Sequence, residues 1–127
     1  SFNLECSNDF IFYADPELLR QAIVNLLENA VKYGYNDQTI QVKCTHSGDR
    51  VIISISDKGD DIPEESIPHI FDRFYRVESS RNRGTGGIGL GLSLVKSVIT
   101  WHEGEISVTS LNNETEFTIN LPAEAPV

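Results

Sequence analysis

The chain has 127 residues, 39% hydrophobic and 23% charged, with a formal net charge of −9. That length fits one domain with a single core and no disulfide staples, and the balance of residues excludes a disordered chain. The acidity excludes a duplex nucleic-acid surface, no apolar run reaches the ~20 residues that span a bilayer, and no signal peptide opens the chain.

Alternation over Phe2-Leu4-Cys6 and Phe10-Phe12 predicts short strands. Asp15-Pro16-Glu17 then reads as a helix start, with Asp as N-cap, Pro at the first position and an acid in the first turn. Leu19, Ile23, Leu26, Leu27, Ala30 and Tyr33 recur at helical spacing, and Gly34 is expected to close the helix. Ile40-Val42-Cys44 and Val51-Ile53-Ile55 alternate around Ser47-Gly48-Asp49 and predict a hairpin. A short helix is expected from Glu64 to Ile70, then an aperiodic, charged loop from Phe71 to Gly86. A second long helix is expected from Gly89 to His102, with Leu90, Leu94, Val98 and Trp101 on its buried face and Gly104 as C-cap. Ile106-Val108 and Phe117-Ile119-Leu121 predict a last hairpin across Asn112-Asn113, and residues 123–127 read as a tail. The sum is an α+β, two-layer sandwich with helices on one face of a mixed sheet.

Three stretches carry chemistry. Residues three and four apart share a helix face, so Asn25, Asn29 and Lys32 form a polar stripe on an otherwise apolar helix. Asparagine offers the hard, neutral oxygen that Mg²⁺ accepts, and lysine offers a cation for phosphate; a plain solvated face is the alternative. Gly86, Gly87, Gly89 and Gly91 lead into the second long helix, each costing roughly 0.5–1 kcal/mol wherever it falls inside it. A phosphate held by loop amides and a helix N-terminus justifies that cost, with a flexible hinge as the alternative. No Gly-Lys-Ser/Thr follows and no strand feeds directly into the loop, which excludes a Walker loop and a dinucleotide fingerprint. Asp57 ends a strongly apolar strand, where its carboxylate suits an exocyclic amine as well as it suits a turn.

In this order the motifs resemble those of sensor histidine kinases. Asn25–Tyr33 is similar to their N box, and Asp57-Lys58-Gly59-Asp60-Asp61-Ile62-Pro63 to their first glycine box. Phe71-Asp72-Arg73-Phe74-Tyr75-Arg76 resembles the phenylalanine box and Gly86–Leu92 the second glycine box. The resemblance covers the chain from about Asp15 to Pro122 and implies the catalytic ATP-binding domain of such a kinase. Its fold is expected to be the Bergerat-type, gyrase-like one, a mixed five-stranded sheet with three helices on one face. It implies ATP and Mg²⁺ as ligands, with Asn29 and Asn25 at the metal and Asn25, Asn29 and Lys32 serving the transfer. The implied nucleotide contacts are Asn29, Lys32, Tyr33, Asp57, Gly59, Ile62, Phe71, Arg76, Gly87, Ile88, Gly89, Leu90, Gly91 and Thr118. Of these, Tyr33 packs on the base, Asp57 bonds the adenine amine, Gly59 gives room beside it, and Phe71 to Gly86 forms a lid.

In gyrase-type relatives a Glu that activates water stands where Asn25 stands, and asparagine is no general base near neutral pH. That favours transfer to a protein over hydrolysis. The expected acceptor is a histidine on a separate helical dimerisation domain, with a response regulator downstream. None of His46, His69 and His102 has the acidic helical setting of an acceptor, so all three are expected to be structural or surface residues. A serine kinase of the anti-sigma type and a degenerate nucleotide-binding module are the alternatives.

Residues 1–127 are taken as one domain of a longer protein, since the chain opens at Ser1 and has no Met. The fragment is expected to be monomeric and cytoplasmic, the parent dimeric and anchored in an inner membrane, with no nucleic-acid partner. Cys6 and Cys44 read as buried free thiols of a reducing compartment. Two positions depart from the family pattern. Asp61 replaces a glycine and is expected to crowd the base pocket or repel phosphate, so that Asp61→Gly tightens ATP; an outward-pointing side chain would leave affinity unchanged. Asn112-Asn113-Glu114-Thr115 replaces a glycine-rich turn, which asparagine tolerates by accepting left-handed backbone angles.

Overall fold

The computed structural model describes residues 2–6, 14–75 and 91–123. The Asp15 side chain accepts hydrogen bonds from the amides of Glu17 and Leu18, both at 3.0 Å, and Pro16 opens helix α1 (Pro16–Tyr33). These bonds satisfy amides that a helix start leaves orphaned. Strands β2 (Ile40–Ser47) and β3 (Arg50–Lys58) form a hairpin whose turn is carried by Gly48 at φ 60°. A 3₁₀ turn spans Glu64–His69, and helix α2 (Gly91–Trp101) follows. Strands β4 (Glu105–Leu111) and β5 (Glu114–Pro122) meet at Asn112 and Asn113, with φ of 55° and 62°. Two adjacent left-handed residues make the tight turn that matches the strand twist, as the asparagines predict.

Strand β1 (Phe2–Cys6) runs parallel to β2, and every other neighbour pair is antiparallel, in the order β1-β2-β3-β5-β4. The two central strands place Val51, Ile53, Ile55 and Asp57 opposite Leu121, Ile119, Phe117 and Thr115, all buried on one face. On that face Leu19, Ala22, Leu26 and Ala30 of α1 and Val95, Val98 and Ile99 of α2 close the core. Each such apolar side chain contributes ~1.5–3 kcal/mol when fully buried. The expected mixed five-stranded α+β sandwich is therefore the observed one. Among the described residues, the short helix expected from Glu64 to Ile70 is a 3₁₀ turn over Glu64–His69, and Phe10 and Phe12 lie outside them.

Two local expectations are corrected and one is met. The buried face of α2 is Val95, Val98 and Ile99, while Leu94 and Trp101 are exposed and Leu90 is not described. The apolar side covers about half of the helix, opposite Ser93, Lys96, Ser97 and Thr100; Leu94 and Trp101 lie on one flank of it, and Val95 and Val98 at its centre, with Ile99, are the ones buried. Gly34 closes α1 as expected, its amide donating to the Ala30 carbonyl oxygen at 2.9 Å, in an extended conformation at φ −84°, ψ 170°. A side chain there would collide with Gln38 and with the Ala30 carbonyl oxygen, 2.6 Å away. At the end of α2 the left-handed residue is Glu103, at φ 61°, not Gly104.

Gly104 is small because β5 crosses it. A Cβ there would lie 2.6 Å from the Asn120 carbonyl oxygen, 2.7 Å from Leu121 Cδ2 and 3.1 Å from Ile99 Cγ2. A backbone carbonyl of a central strand cannot move aside without disturbing the sheet. Gly104→Ala is therefore expected to lower stability by ~1–3 kcal/mol, read as a lower urea midpoint. An unchanged midpoint would show that β5 yields at this crossing.

His102 ties the two helices together. Its Nδ1 lies 2.8 Å from the Val98 carbonyl oxygen, and Nε2 accepts from the Asp15 amide at 2.9 Å. The acceptor role of Nε2 assigns the proton to Nδ1. His69 lies 3.1 Å from the Asp72 carboxylate, and His46 is exposed on β2. Cys44 is a free thiol but half-buried, not fully buried as expected; the Cys6 side chain is not described.

Candidate functional site

The site forms where the C-terminal end of α1 meets the end of β3. Gly34 and Gly59 make an isolated antiparallel bridge, and the Tyr35 amide donates to the Lys58 carbonyl oxygen at 2.7 Å. Gln38 clamps the junction: its Oε1 accepts from the Lys58 amide and its Nε2 donates to the Ala30 carbonyl oxygen at 3.2 Å. A Cβ on Gly59 would lie 2.9 Å from the Tyr33 carbonyl oxygen, 3.1 Å from Gly34 Cα and 3.4 Å from Asp57 Oδ1. Gly59 is thus required by the close approach of two backbones, and Tyr33, Asp57 and Gly59 share one corner.

Asp57 continues the inward row of β3, where another apolar residue would be expected, and is only 8% exposed. Burial first, and the charge of Glu114 second, push its carboxyl up to about 6. No hydrogen bond from the described residues offsets either effect. A buried polar atom without a partner calls for a ligand donor at that point.

Along α1 the half-buried Asn25 and Asn29 lie on the stripe that ends at half-buried Tyr33, with Lys32 exposed beside them. At 1.5 Å rise per residue, Asn29 stands about 6 Å and Asn25 about 12 Å along the axis from Tyr33. The stripe therefore leads away from the Asp57 corner by the span of a nucleotide's sugar and phosphates. Among the described residues no group of three or more His, Cys, Asp and Glu side chains offers a metal site. The two asparagine amides supply hard neutral oxygens, a donor set that fits Mg²⁺ whose remaining ligands are phosphates and water.

The other expected residues divide. Ile62 is half-buried against the core, and its amide donates to Ser110 Oγ at 2.8 Å. Phe71 is half-buried and meets Phe117 edge-on at 6.1 Å between ring centroids, so this part of the expected lid is anchored in the core. Gly91 opens α2, and a Cβ there would meet no described atom within 4 Å. Arg76, Gly87, Ile88, Gly89 and Leu90 lie outside the described residues. Thr118 is not brought to this corner. It lies an odd number of residues from the inward series Thr115, Phe117, Ile119 and Leu121, so it faces the other side of the sheet.

Thr115 stands where Thr118 was expected. It is buried, pairs in register with Asp57, and its Oγ1 lies 2.8 Å from Ser110 Oγ. Its parity with Phe117 was a usable sequence signal. Gln38 gave none, because its two partners lie 8 and 20 residues away.

A buried carboxylate at a strand end, a glycine crossing beside it, an asparagine stripe on the first helix and an open glycine at the start of the second define a nucleotide-binding α+β domain. Residues 14–125 match the family model of the histidine kinase-, DNA gyrase B- and HSP90-like ATPases, and the chain belongs to that family. A nucleotide is therefore its ligand class. The chain is 44% identical over 109 residues to the sensor histidine kinase CusS of Escherichia coli K12, covering 86% of this chain and 23% of that protein. It is 45% identical over 97 residues to the sensor histidine kinase YkoH of Bacillus subtilis, covering 76% of this chain and 21% of that one. It thus spans about a quarter of the length of these relatives.

Among solved structures it resembles the nucleotide-free catalytic domain of histidine kinase ThkA, with a TM-score of 0.85 at 27% identity, over 98% of this chain and 80% of that one. Full-length ShkA in complex with AMPPNP aligns at a TM-score of 0.81 and 27% identity, over 99% of this chain and 26% of that one. ThkA in complex with the response regulator TrrA aligns at 0.78 and 26%, over 96% and 34%. The chain is a histidine-kinase-type ATPase domain.

Proposed function

We propose that this domain binds ATP with Mg²⁺ and transfers the γ-phosphoryl group to a histidine on a separate helical domain of its parent, which passes it to a response regulator. The observation that carries the reading is the buried Asp57 carboxylate, without a hydrogen-bond partner among the described residues, as an acceptor for the adenine amine. Tyr33 lies against the base, Gly59 leaves room for it, and Ile62 backs the wall. Asn29, assisted by Asn25, would hold the metal, which supplies charge neutralisation on the phosphates. Lys32 supplies a second cation, and the N-terminus of α2 at Gly91 would offer the anion its backbone amides and the positive end of the helix dipole. Arg76, Gly87, Ile88, Gly89 and Leu90 are proposed to complete the phosphate side.

Asn25 carries no base that deprotonates water near neutral pH, so the site positions and neutralises the transferring group instead of hydrolysing it. The parent is proposed to be a dimer held at a membrane, with this domain on the cytoplasmic side. Among the described residues no helix is long and apolar enough to cross a bilayer.

The test is a radiolabelled transfer assay with ATP, Mg²⁺ and the parent's separately produced helical domain. Acid-labile label on a histidine is expected. Label on serine would favour the anti-sigma type of kinase, and nucleotide binding without label on any protein would leave only a binding module.

A further inference from the structure

Asp61 stands where the resembling motif has glycine, and its carboxylate meets the turn of the β4–β5 hairpin. It is exposed, and its Oδ1 accepts from the Asn113 amide at 2.7 Å. In a two-residue hairpin turn the amide and carbonyl of the second central residue have no partner within the hairpin. Here both are used by the same loop, because the Asn113 carbonyl oxygen also accepts from the Gly59 amide at 3.0 Å. A third bond runs from the Ile62 amide to Ser110 Oγ. On the other flank, Tyr35 Oη donates to Asp60 Oδ1 at 3.0 Å. Asp61, expected to crowd the base or repel phosphate, and its neighbour Asp60 accept hydrogen bonds from the segments on either side of the loop.

We propose that Asp61 is a positioning residue, latching the Asp57–Ile62 turn to the tip of the β4–β5 hairpin and so fixing the wall that the nucleotide base meets. Beside the Gly59 and Ile62 bonds and the Lys58–Glu114 ion pair at 3.3 Å, the bond from the Asn113 amide depends on the side chain at position 61, and glycine cannot supply it. Gly59 has no side chain of its own to hold the turn: its bridge to Gly34 fixes it on one side, and the Asn113 carbonyl oxygen fixes it on the hairpin side. The two departures from the family pattern, Asp61 and Asn112-Asn113, are then one device. The expectation that Asp61 weakens ATP binding is reversed.

The proposal rests on the nucleotide-binding reading, and its test separates the two. Asp61→Ala removes the acceptor without adding backbone freedom, Asp61→Gly restores the family residue, and Asp61→Asn keeps an acceptor oxygen while removing the charge. Calorimetric titration with a non-hydrolysable ATP analogue and Mg²⁺ is expected to show about three- to tenfold weaker binding for the Ala and Gly variants, the loss of roughly one hydrogen bond. Asp61→Asn is expected to bind like the parent sequence. In nucleotide-free protein, exchange of the Asn113 and Gly59 amides should accelerate in the Ala and Gly variants and not in Asp61→Asn. Equal or tighter binding by Asp61→Ala and Asp61→Gly overturns the proposal, and so does full protection of the Asn113 amide in those variants. If the unsubstituted domain binds no nucleotide, the functional reading fails and the amide exchange alone decides the latch.

Discussion

Asn29→Ala is expected to reduce phosphoryl transfer by ~10²–10³-fold or more while leaving the domain folded. Asn29 lies half-buried on the stripe between Asn25 and Tyr33, among the described residues held by no hydrogen bond from its side chain. Truncating it removes no core packing, and alanine is the best helix former, so the melting temperature should hold or rise slightly. What it does remove is the hard oxygen that the proposed function assigns to the metal. Phosphoryl transfer is mainly charge neutralisation and positioning, so loss of a metal ligand falls on the transition state as well as on binding. The measurement is initial rate of label transfer to the supplied helical domain across a Mg²⁺ titration, beside a thermal melt. A raised Mg²⁺ requirement with an unchanged melt supports the assignment. Transfer at the normal rate and normal Mg²⁺ dependence would sink it.

Local chemistry was legible and long-range contact was not. The Asp15-Pro16 start of α1, the Gly48 turn and the Asn112-Asn113 turn follow from single-residue preferences, and each appears where those preferences put it. The alternation of β3 and β5 fixed which face is buried. It also carried the answer that was missed at Thr115, since a strand's two faces differ by parity and Thr118 has the wrong one. Helix α2 failed differently. The spacing that joins Leu90, Leu94, Val98 and Trp101 follows one flank of its apolar side, whereas Val95 and Val98 at the centre of that side, with Ile99, enter the core.

The glycines show the same divide. Gly34, Gly59 and Gly104 look like turn residues, but all are required by the closeness of another segment, which no local rule reveals. The partners of Asp61 and Ile62 lie 52 and 48 residues ahead, which is why Asp61 read as an intrusion when its carboxylate serves the hairpin. The site's residue types were visible as motifs; the bonds that set their positions became visible only in the fold.

The last expected result separates what Asp57 does for the ligand from what it costs the fold. Its carboxyl sits at about 6 instead of the usual 3.8, because burial and Glu114 disfavour the ionised form. Below the lower value both folded and unfolded chains hold the proton; between the two values only the folded chain does. Stability therefore falls as pH rises from about 4 to 6 and stays at its lower level above that window. A displacement of this size corresponds to ~3 kcal/mol. Asp57→Asn removes the ionisation and should stabilise the nucleotide-free domain at pH 7 by ~1–2 kcal/mol, less than the full figure because the new amide is also short of partners. It should also flatten the pH dependence of the urea midpoint between about 4 and 6. ATP binding should move the other way. A hydrogen bond to a charged acceptor is worth ~1.5–3 kcal/mol, so the substitution should weaken affinity ~10–100-fold at pH 7. Affinity of the unsubstituted domain should climb as Asp57 ionises through pH 6, beyond any rise in the variant, whose profile records the titration of the nucleotide phosphates alone. Calorimetry at pH 5, 6, 7 and 8 with both proteins measures that difference. A variant that binds ATP as tightly as the original at pH 7 would remove Asp57 from the base site and leave its burial without a functional reason.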